Sequence, residues 1–267
     1  MAGQSGKFVE GSCSRTSNTK PSWVEASWSC ELNSNVTAFA SPDSTKAIVR
    51  VSVDAGAFAH ADGTAVPLEV AVMAVDGTGR PLASARQTST ISGARPVSGG
   101  LAEVYVASHL TLAPGDYGIR VAVSDPATGK VASVFSEVTV PQFDSARLSL
   151  SSINVDLATA PPAKPAATMR RAFRRTDHVR AVLQIYQGTD RTDAIVPVSM
   201  RVQILDAKRG AVRDQSLPFT EKAFSNRRAD CVITLPLANL PPGEYLLKLE
   251  ASMDRVTTGR ALRFLVE

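Results

Sequence analysis

The sequence predicts an all-β chain built from two copies of one domain, and three observations lead to that prediction. Short stretches of alternating apolar and polar residues follow one another from residue 36 onward, and Pro, Gly, Asp and Ser separate them. This pattern is typical of strands joined by turns. No segment of 12 or more residues carries the apolar stripe of an amphipathic helix. Three blocks of sequence recur in the same order, which indicates a duplication.

The length and composition are those of a folded globular chain. The 267 residues suffice for one large domain or two of modest size. Hydrophobic residues make up 44% and charged residues 20% of the chain, as in most soluble domains. No apolar run is long enough to cross a bilayer, and the first 20 residues lack the apolar region of a secretory signal. We therefore expect no transmembrane segment and no signal peptide in this chain.

The first 35 residues differ in composition from the rest. They contain both tryptophans, Trp23 and Trp28, and show no strand or helix periodicity of useful length. We interpret residues 1–35 as a flexible polar leader. The first domain is then expected over residues 36–145 and the second over residues 146–267.

The cysteines do not form a disulfide framework, because there are only three of them. Cys13 and Cys30 lie in the leader, where they form either one disulfide in an oxidising compartment or two free thiols. Cys231 lies in an apolar run and is expected to pack as a small buried hydrophobe.

The duplication rests on three matched blocks with nearly constant offsets. The matched pairs are residues 112–124 with 240–252, residues 67–76 with 197–206, and residues 45–56 with 176–188. The first pair shares the pattern L-x-P-G-[DE]-Y-x-[IL]-[RK]-[VL] at an offset of 128, and the second pair has an offset of 130. In each block apolar and polar residues alternate, which predicts strands with one buried face.

Each copy of the longest block contains a Pro-Gly turn followed by a tyrosine. These residues are Pro114, Gly115 and Tyr117 in the first copy, and Pro242, Gly243 and Tyr245 in the second. Proline fixes φ in such a turn, and glycine supplies a backbone conformation that other residues adopt at a cost. The tyrosine can then turn its ring into the core and bond its hydroxyl to the backbone upstream, which is the tyrosine corner. We therefore predict a structural role for all six residues and two tandem immunoglobulin- or fibronectin-III-like β-sandwiches.

The positive charge is concentrated in the second half of the chain. Residues 1–145 hold 10 Lys/Arg against 13 Asp/Glu, whereas residues 146–267 hold 19 against 12. Five arginines, which we call the arginine strip, are a candidate partner contact: Arg170, Arg171, Arg174, Arg175 and Arg180. The alternative is an ordinary solvated approach to a strand, opposed by Asp177. Nucleic acid is the less favoured partner, because Phe173 is the only aromatic residue within the strip.

The sequence offers no catalytic signature. It contains no G-x-S-x-G, H-E-x-x-H or G-x-G-x-x-G motif. His60, His109 and His178 fall in unrelated blocks, so we expect no metal centre. The loops that begin at Asp76, Asp125 and Asp206 are expected to be ordinary turns and not calcium sites. We predict that the protein is not an enzyme, with no catalytic, cofactor-binding or metal residue and no small-molecule substrate.

Several motifs of the chain resemble one bacterial family. They are Leu112-Ala-Pro-Gly-Asp-Tyr-Gly-Ile-Arg-Val-Ala-Val, Asp125-Pro-Ala-Thr-Gly-Lys-Val, Val140-Pro-Gln-Phe, Leu148-Ser-Leu-Ser-Ser-Ile, Phe173-Arg-Arg-Thr-Asp and Leu240-Pro-Pro-Gly-Glu-Tyr. Over residues 40–267 the chain is similar to the C-terminal region of the VWFA-related proteins of Acidobacteria. The resemblance implies an accessory region that lies in the periplasm or at the cell surface. Family members carry a von Willebrand factor A domain, but this chain has no D-x-S-x-S motif, so no metal-site residue carries over.

The preferred functional hypothesis is a non-enzymatic scaffold that spaces or docks another domain or protein. Exposed sheet edges, a cleft between the two sandwiches and the arginine strip are its candidate contacts. The alternative is a carbohydrate-binding accessory module. Such a module would need exposed aromatic residues on a sheet face, yet aromatics total only 6% and both tryptophans lie in the leader. Binding of nucleic acid by the basic half is the third hypothesis, and it predicts a steep dependence of affinity on salt.

Overall fold

The computed structural model describes residues 29–41, 45–60, 62–92, 96–97, 100–101, 104–158 and 166–267. Within these ranges the chain forms 20 β-strands and three short 3-10 turns, and it forms no α-helix. The turns are Gly56–Phe58, Glu221–Ala223 and Leu237–Asn239. The prediction of an all-β chain is confirmed.

The first half forms two facing sheets and one small hairpin. Its strands are β1 (Ser29–Glu31), β2 (Ser34–Ala40), β3 (Ala47–Asp54), β4 (Val66–Val75), β5 (Pro81–Ile91), β6 (Pro96–Val97), β7 (Gly100–Leu101), β8 (Tyr105–Leu112), β9 (Gly115–Asp125) and β10 (Lys130–Val140). One sheet has the order β1-β10-β9-β4-β5 and the other has the order β2-β3-β8, while β6 pairs with β7. Neighbouring strands are antiparallel except β1, which runs parallel to β10.

The second half repeats this arrangement. Its strands are β11 (Ser149–Leu150), β12 (Asn154–Ala158), β13 (Ala166–Thr168), β14 (Ala172–Phe173), β15 (His178–Tyr186), β16 (Val198–Asp206), β17 (Ala211–Phe219), β18 (Arg228–Thr234), β19 (Gly243–Met253) and β20 (Val256–Val266). One sheet has the order β14-β20-β19-β16-β17. In the second sheet, β11 and β12 pair with one edge of β15, and β18 pairs with its opposite edge. Strand β13 pairs with β12.

The two halves share one strand order. The sheet β2-β3-β8 corresponds to β12-β15-β18, and β10-β9-β4-β5 corresponds to β20-β19-β16-β17. The three matched sequence blocks lie on equivalent strands, namely β3 and β15, β4 and β16, and β9 and β19. Two stacked antiparallel sheets connected in this order form an immunoglobulin- or fibronectin-III-like sandwich. The predicted fold class is therefore confirmed.

Each sandwich has its own core between its two sheets. On β4 alternate residues from Val66 to Val72 are buried, and on β16 alternate residues from Val198 to Ile204 are buried. This period of two follows from the pleat of a strand, which sends successive side chains to opposite faces. Complete burial of one such side chain contributes roughly 1.5 to 3 kcal/mol, so the two clusters of buried residues are the main source of stability.

The predicted leader ends earlier than expected. Ser29 in β1 lies opposite Val131 of β10, and β2 already begins at Ser34. The described residues before 36 therefore belong to the first sandwich, contrary to the interpretation of 1–35 as a leader. A strand of three residues is too short to show periodicity, which explains the error. Residues 1–28, with both tryptophans and Cys13, lie outside the described part of the chain, and so does any pairing of Cys13 with Cys30.

A bulge separates β11 from β12 at the start of the second sandwich. Leu150 lies opposite Ile185, but the pairing resumes with Asn154 opposite Val182, so the register shifts by one residue. In the bulge the Ser151 hydroxyl accepts a hydrogen bond from the Gln184 amide over 2.9 Å. Arg260 of β20 donates to the carbonyl oxygens of residues 150 and 151. The bulge is thus tied to both sheets of its sandwich, and it turns the next residue toward the first domain.

Candidate functional site

The two sandwiches meet where the bulge of the second contacts an edge strand of the first. Ser152 follows the bulge, and its amide donates to the Ala38 carbonyl of β2 over 3.2 Å. The Ala38 amide donates in return to the Ser152 hydroxyl over 3.1 Å. One residue of the second domain therefore occupies both backbone groups of Ala38. Satisfying an edge strand in this way protects it from pairing with a foreign strand.

Tyr186, at the end of β15, is the second contact across the junction. Its side chain is fully buried and packs in the core of the first sandwich, with its ring 4.9 Å from that of Phe143. The hydroxyl accepts a hydrogen bond from the Ala40 amide over 3.3 Å and donates to the Gln184 side chain. Burial raises the pKa of Tyr186 to about 12, so the phenol is neutral at ordinary pH.

A third contact joins β8 of the first sandwich to the segment after β13. The Tyr105 hydroxyl accepts a hydrogen bond from the Met169 amide over 3.0 Å and lies 3.4 Å from the Thr168 hydroxyl. The Arg171 guanidinium donates to the Asn35 side chain over 3.4 Å. Between these groups lies a small cavity of about 30 Å³. A cavity of this size has room for about two water molecules.

The two Pro-Gly-x-Tyr elements have the geometry of tyrosine corners. The Tyr117 hydroxyl donates to the Ala113 carbonyl over 2.9 Å, and the Tyr245 hydroxyl donates to the Pro241 carbonyl over 2.8 Å. Gly115 and Gly243, which follow Pro114 and Pro242, have φ of 152° and 155°. Tyr245 is buried, and its ring stacks on Phe264 with centroids 5.6 Å apart. Tyr117 is only half-buried at the rim of its core, which differs from the expectation that both rings turn fully inward.

The structure separates the arginine strip into several environments. Arg171 lies at the domain junction, where it also donates to the carbonyl oxygens of residues 168, 169 and 170. Arg175 donates to the Ala238 carbonyl over 2.6 Å, and Arg180 pairs with Asp156 across β12 and β15 at 3.2 Å.

The remaining two arginines of the strip lie near Asp177. The Arg170 guanidinium is 4.0 Å from the Asp177 carboxylate, and that carboxylate accepts a hydrogen bond from the Arg174 amide over 2.8 Å. Asp177 is therefore not the only opposing charge, since the strand register adds Asp156. The five arginines therefore make different contacts.

The acidic loops bond to their own backbones. The Asp76 carboxylate accepts hydrogen bonds from the Thr78 hydroxyl and from the Arg80 and Thr78 amides, which lower its pKa to about 2. Asp206 accepts from the Lys208 amide over 2.9 Å in the equivalent turn. Asp125 is buried and accepts from the Thr128 hydroxyl over 2.6 Å. These carboxylates shape turns by pairing with nearby amide and hydroxyl groups.

The described residues form no cluster of metal-ligating side chains. No three His, Cys, Asp or Glu side chains of that part lie close enough to hold a metal ion. His109 lies opposite Arg50 on β3, whereas His178 lies opposite Ala158 on β12. Cys231 is buried, and this burial raises the pKa of its thiol to about 11. No helix of the described part is long and apolar enough to span a bilayer.

Sequence reasoning missed the residues that join the domains. Ser152 is a buried polar residue within an otherwise apolar stretch. A buried serine indicates a hydrogen-bonded site but does not identify the partner, because that partner lies more than 100 positions away. Tyr186 gave no signal at all, since an apolar residue at the end of a strand is normally assigned to its own core.

No protein-family model and no curated protein sequence matches the chain. The solved structures that are similar to this chain include the following two. The crystal structure of dimeric latent PorU from Porphyromonas gingivalis matches at 13% identity and a TM-score of 0.31, over 87% of this chain. This chain spans 20% of the length of that PorU chain. The fibronectin(III)-like modules of Clostridium thermocellum CbhA match at 11% identity and a TM-score of 0.21, over 82% of this chain and 85% of theirs. The fold assignment rests on the strand pairing above.

Proposed function

We propose that the chain is a non-enzymatic scaffold of an extracytoplasmic, VWFA-related protein, in which two sandwiches hold an attached domain or a protein partner at a fixed spacing. The observation that carries this proposal is the hydrogen-bonded junction between the sandwiches. A spacer fixes a distance only if its domains do not rotate freely, and domains within one chain usually move unless their interface is large and hydrophobic. The support for restricted motion is the burial of the Tyr186 ring in the first core, together with the hydrogen bonds of Ser152 and Tyr186 to β2.

The junction supports a spacing role because it is both polar and buried. Its hydrogen bonds have defined directions, so they favour one relative orientation of the sandwiches over others. A rotation that broke these bonds without admitting water would leave buried polar groups unpaired, at a cost of roughly 1 to 3 kcal/mol each. The VWFA resemblance and the arginine strip add the expectation of an attached domain or a protein partner. Placement in the periplasm or at the cell surface follows from the same resemblance.

The spacing role is tested by measuring the distance between the two sandwiches. Spin labels at Thr90→Cys on β5 and Ser216→Cys on β17, in a chain with Cys13→Ser and Cys30→Ser, report that distance by electron double resonance. We expect one narrow distance distribution for this chain. Adding Ser152→Ala and Tyr186→Phe is expected to broaden it, because both contacts with β2 lose a hydrogen bond.

The matched control is Tyr117→Phe with Ser89→Ala, which removes one tyrosine and one serine hydroxyl bond within the first sandwich alone. It should leave the distribution narrow. A broad distribution in the chain with an intact junction would contradict the spacing role, whatever the variants do.

A further inference from the structure

Strand β5 lies at the edge of the larger sheet of the first sandwich, where it pairs with β4 on one side. At the hairpin between these strands the Asp76 amide donates to the Arg80 carbonyl over 3.1 Å. Residues along an antiparallel strand direct their backbone groups alternately to one neighbour and to the other. Counting from Asp76, the even-numbered residues of β4 therefore bond to β5, and the odd-numbered residues bond to β9. The residues of β5 opposite the odd-numbered set direct their amides and carbonyls away from the sheet: Ser84, Arg86, Thr88 and Thr90.

These four residues, which we call the open edge, have no hydrogen-bond partner for those backbone groups in the described part of the chain. The hairpin of β6 and β7, which follows β5, forms a sheet of its own. The edge strand β2 is different, because Ser152 bonds to both backbone groups of Ala38. A row of unpaired amides and carbonyls is a template for another strand.

The internal repeat shows how the same edge is closed in the second sandwich. Strand β17 corresponds to β5, and Pro218 lies opposite Ser199 as Thr88 lies opposite Glu69. Proline has no N–H, and within a sheet it fits an edge strand at a position that faces outward. The second sandwich thus lacks a donor where the first keeps one. Because both sandwiches have the same strand order, the fold itself does not require this difference.

The open edge is complementary to a second copy of itself. Two antiparallel copies of β5 related by a two-fold axis through Gln87 place Arg86 of one copy opposite Thr88 of the other. The same axis places Ser84 opposite Thr90. Each of these residues directs its amide and carbonyl toward the other copy, so each pair exchanges two hydrogen bonds. The two larger sheets then form one continuous sheet across the axis.

Charge selects this register over its neighbour. An axis through Arg86 would place the two guanidinium groups directly opposite each other, which is destabilising. The axis through Gln87 instead places Arg86 in one row with Glu69 of the other copy, two strand spacings or about 10 Å away. Arg86 and Glu69 are the charged residues of β4 and β5, and neither forms an ion pair with any described residue.

The other charges of the outward face lie too far from the second copy to oppose the pairing. Asp116 and Arg120 lie on β9, and Glu137 lies on β10. They are at least three strand spacings, or about 14 Å, from the nearest strand of a second copy. That distance exceeds the screening length of about 8 Å at physiological ionic strength. Asp76 and Arg80, at the hairpin, pair with each other.

We infer that the open edge binds a second copy of this chain, through antiparallel pairing of β5 with β5 about a two-fold axis at Gln87. The dimer presents each attached domain or partner twice. The inference goes beyond the proposed function, because it does not depend on what the scaffold holds or on a rigid domain junction.

Sedimentation velocity over a range of concentrations tests the inference. We expect the unaltered chain to form a dimer, and Thr88→Pro to raise the dissociation constant at least tenfold, because Thr88 loses the amide that bonds to the other copy. The fold should tolerate this proline, since β17 carries Pro218 at the equivalent position. The matched control is Ser216→Pro on β17, at the position equivalent to Arg86. It should dimerise as the unaltered chain does, and circular dichroism establishes that both variants are folded.

A charge exchange between chains tests the register without relying on proline. Arg86→Glu places two carboxylates in each shared row, and Glu69→Arg places two guanidinium groups there. Each variant alone should have a dissociation constant at least tenfold higher than that of the unaltered chain. An equimolar mixture of the two variants should recover the dimer, because each row then holds one carboxylate and one guanidinium. A contact between Arg86 and Glu69 of the same copy predicts no such recovery.

A disulfide across the axis reports the same register. In a Cys13→Ser/Cys30→Ser chain, Gln87→Cys should form a covalent dimer on mild oxidation. The two copies of residue 87 form a non-hydrogen-bonded pair with Cα atoms about 4.5 Å apart, a distance that a disulfide spans. Ala85→Cys is the control, since residue 85 lies opposite Ser89 and not opposite itself. It should remain without a cross-link.

Several results would overturn the inference. A chain that is monomeric at millimolar concentration lacks the contact. A dimer that Thr88→Pro leaves unchanged, or that Ser216→Pro weakens equally, does not form through the open edge. Dissociation of the dimer by a synthetic peptide of residues 1–28 assigns the edge to the leader. In the spin-label experiment, dilution with unlabelled chain separates distances within one copy from those between copies, so failure of the dimer and failure of the rigid junction are distinguishable.

Discussion

At the scale of single residues, the two tyrosine corners differ in burial and therefore in what their hydroxyls contribute. Tyr245 is buried and stacked on Phe264, whereas Tyr117 lies at the rim of its core. A typical hydrogen bond contributes about 0.5 to 1.5 kcal/mol, and more is lost when a buried partner is left unsatisfied. We expect Tyr245→Phe to lower the free energy of unfolding by about 1 kcal/mol and Tyr117→Phe by about 0.5 kcal/mol. Urea denaturation of both variants measures this, and an equal loss at the two sites would contradict it.

Cys231 illustrates how burial removes the reactivity of a side chain. The thiol lies in the second core, and its pKa is raised to about 11 because the thiolate would lose its solvation there. Because its pKa is about 11 and not 9.0, the thiol is about 100-fold less ionised than an ordinary cysteine at the same pH. In a Cys13→Ser/Cys30→Ser chain we expect almost no reaction with a disulfide reagent at about pH 8 and full reaction in guanidinium chloride. Reaction of the folded chain at the rate of a small-molecule thiol would disprove this assignment.

At the scale of elements, the turns before β9 and β19 depend on glycine for their backbone conformation. Gly115 and Gly243 have φ of 152° and 155°, a region that other residues rarely adopt. Space is not the constraint, because a Cβ on Gly115 would meet the Tyr117 ring at an ordinary 3.5 Å. We expect Gly115→Ala and Gly243→Ala each to cost about 1 to 3 kcal/mol through backbone strain.

The control for these turns is Gly77→Ala, since Gly77 does not have this backbone conformation and a Cβ there meets nothing within 4 Å. It should change stability little or raise it slightly. Thermal unfolding of the three variants ranks them. If Gly77→Ala is as destabilising as the two turn variants, backbone strain is not the cause.

The same elements show how far the sequence predicts the structure. Strands such as β4 and β16 were predictable because one buried face produces a period of two in the residues themselves. The bulge before β12 and the short strand β1 were not, since both are defined by pairing with a distant strand and leave no local pattern. The contacts of Ser152 depend on how the two sandwiches pack, and sequence periodicity carries no information about that packing. The charge of the arginine strip was visible in the sequence. The different partners of Arg175 and Arg180 were not, because they depend on where the fold places Ala238 and Asp156.

At the scale of the whole molecule, Tyr186 couples the second sandwich to the core of the first, and it does so only while its phenol is neutral. Its pKa is raised from 10.0 to about 12 by burial. The unfolded chain therefore releases this proton at lower pH than the folded chain does, so the stability contribution is complete below about pH 10 and is lost as pH rises toward 12. Titration of the Cys231 thiol also lowers the free energy of unfolding as the pH rises from about 9 to about 11.

This coupling predicts how alkaline pH weakens the domain pair. Between about pH 9.5 and pH 11 the titration of Tyr186 should remove about 1 kcal/mol from the free energy of unfolding, because each unit of pKa shift corresponds to about 1.4 kcal/mol. The Tyr186→Phe variant has no phenol to titrate, so its free energy of unfolding should fall by about 1 kcal/mol less over the same pH range. At neutral pH this variant should be less stable than the unaltered chain, because it lacks the hydrogen bond to Ala40. Urea unfolding of both chains at several pH values compares the slopes, with Cys231 contributing equally to each. Parallel slopes would mean that the phenol is hydrated in the folded protein and that the junction is looser than its hydrogen bonds indicate.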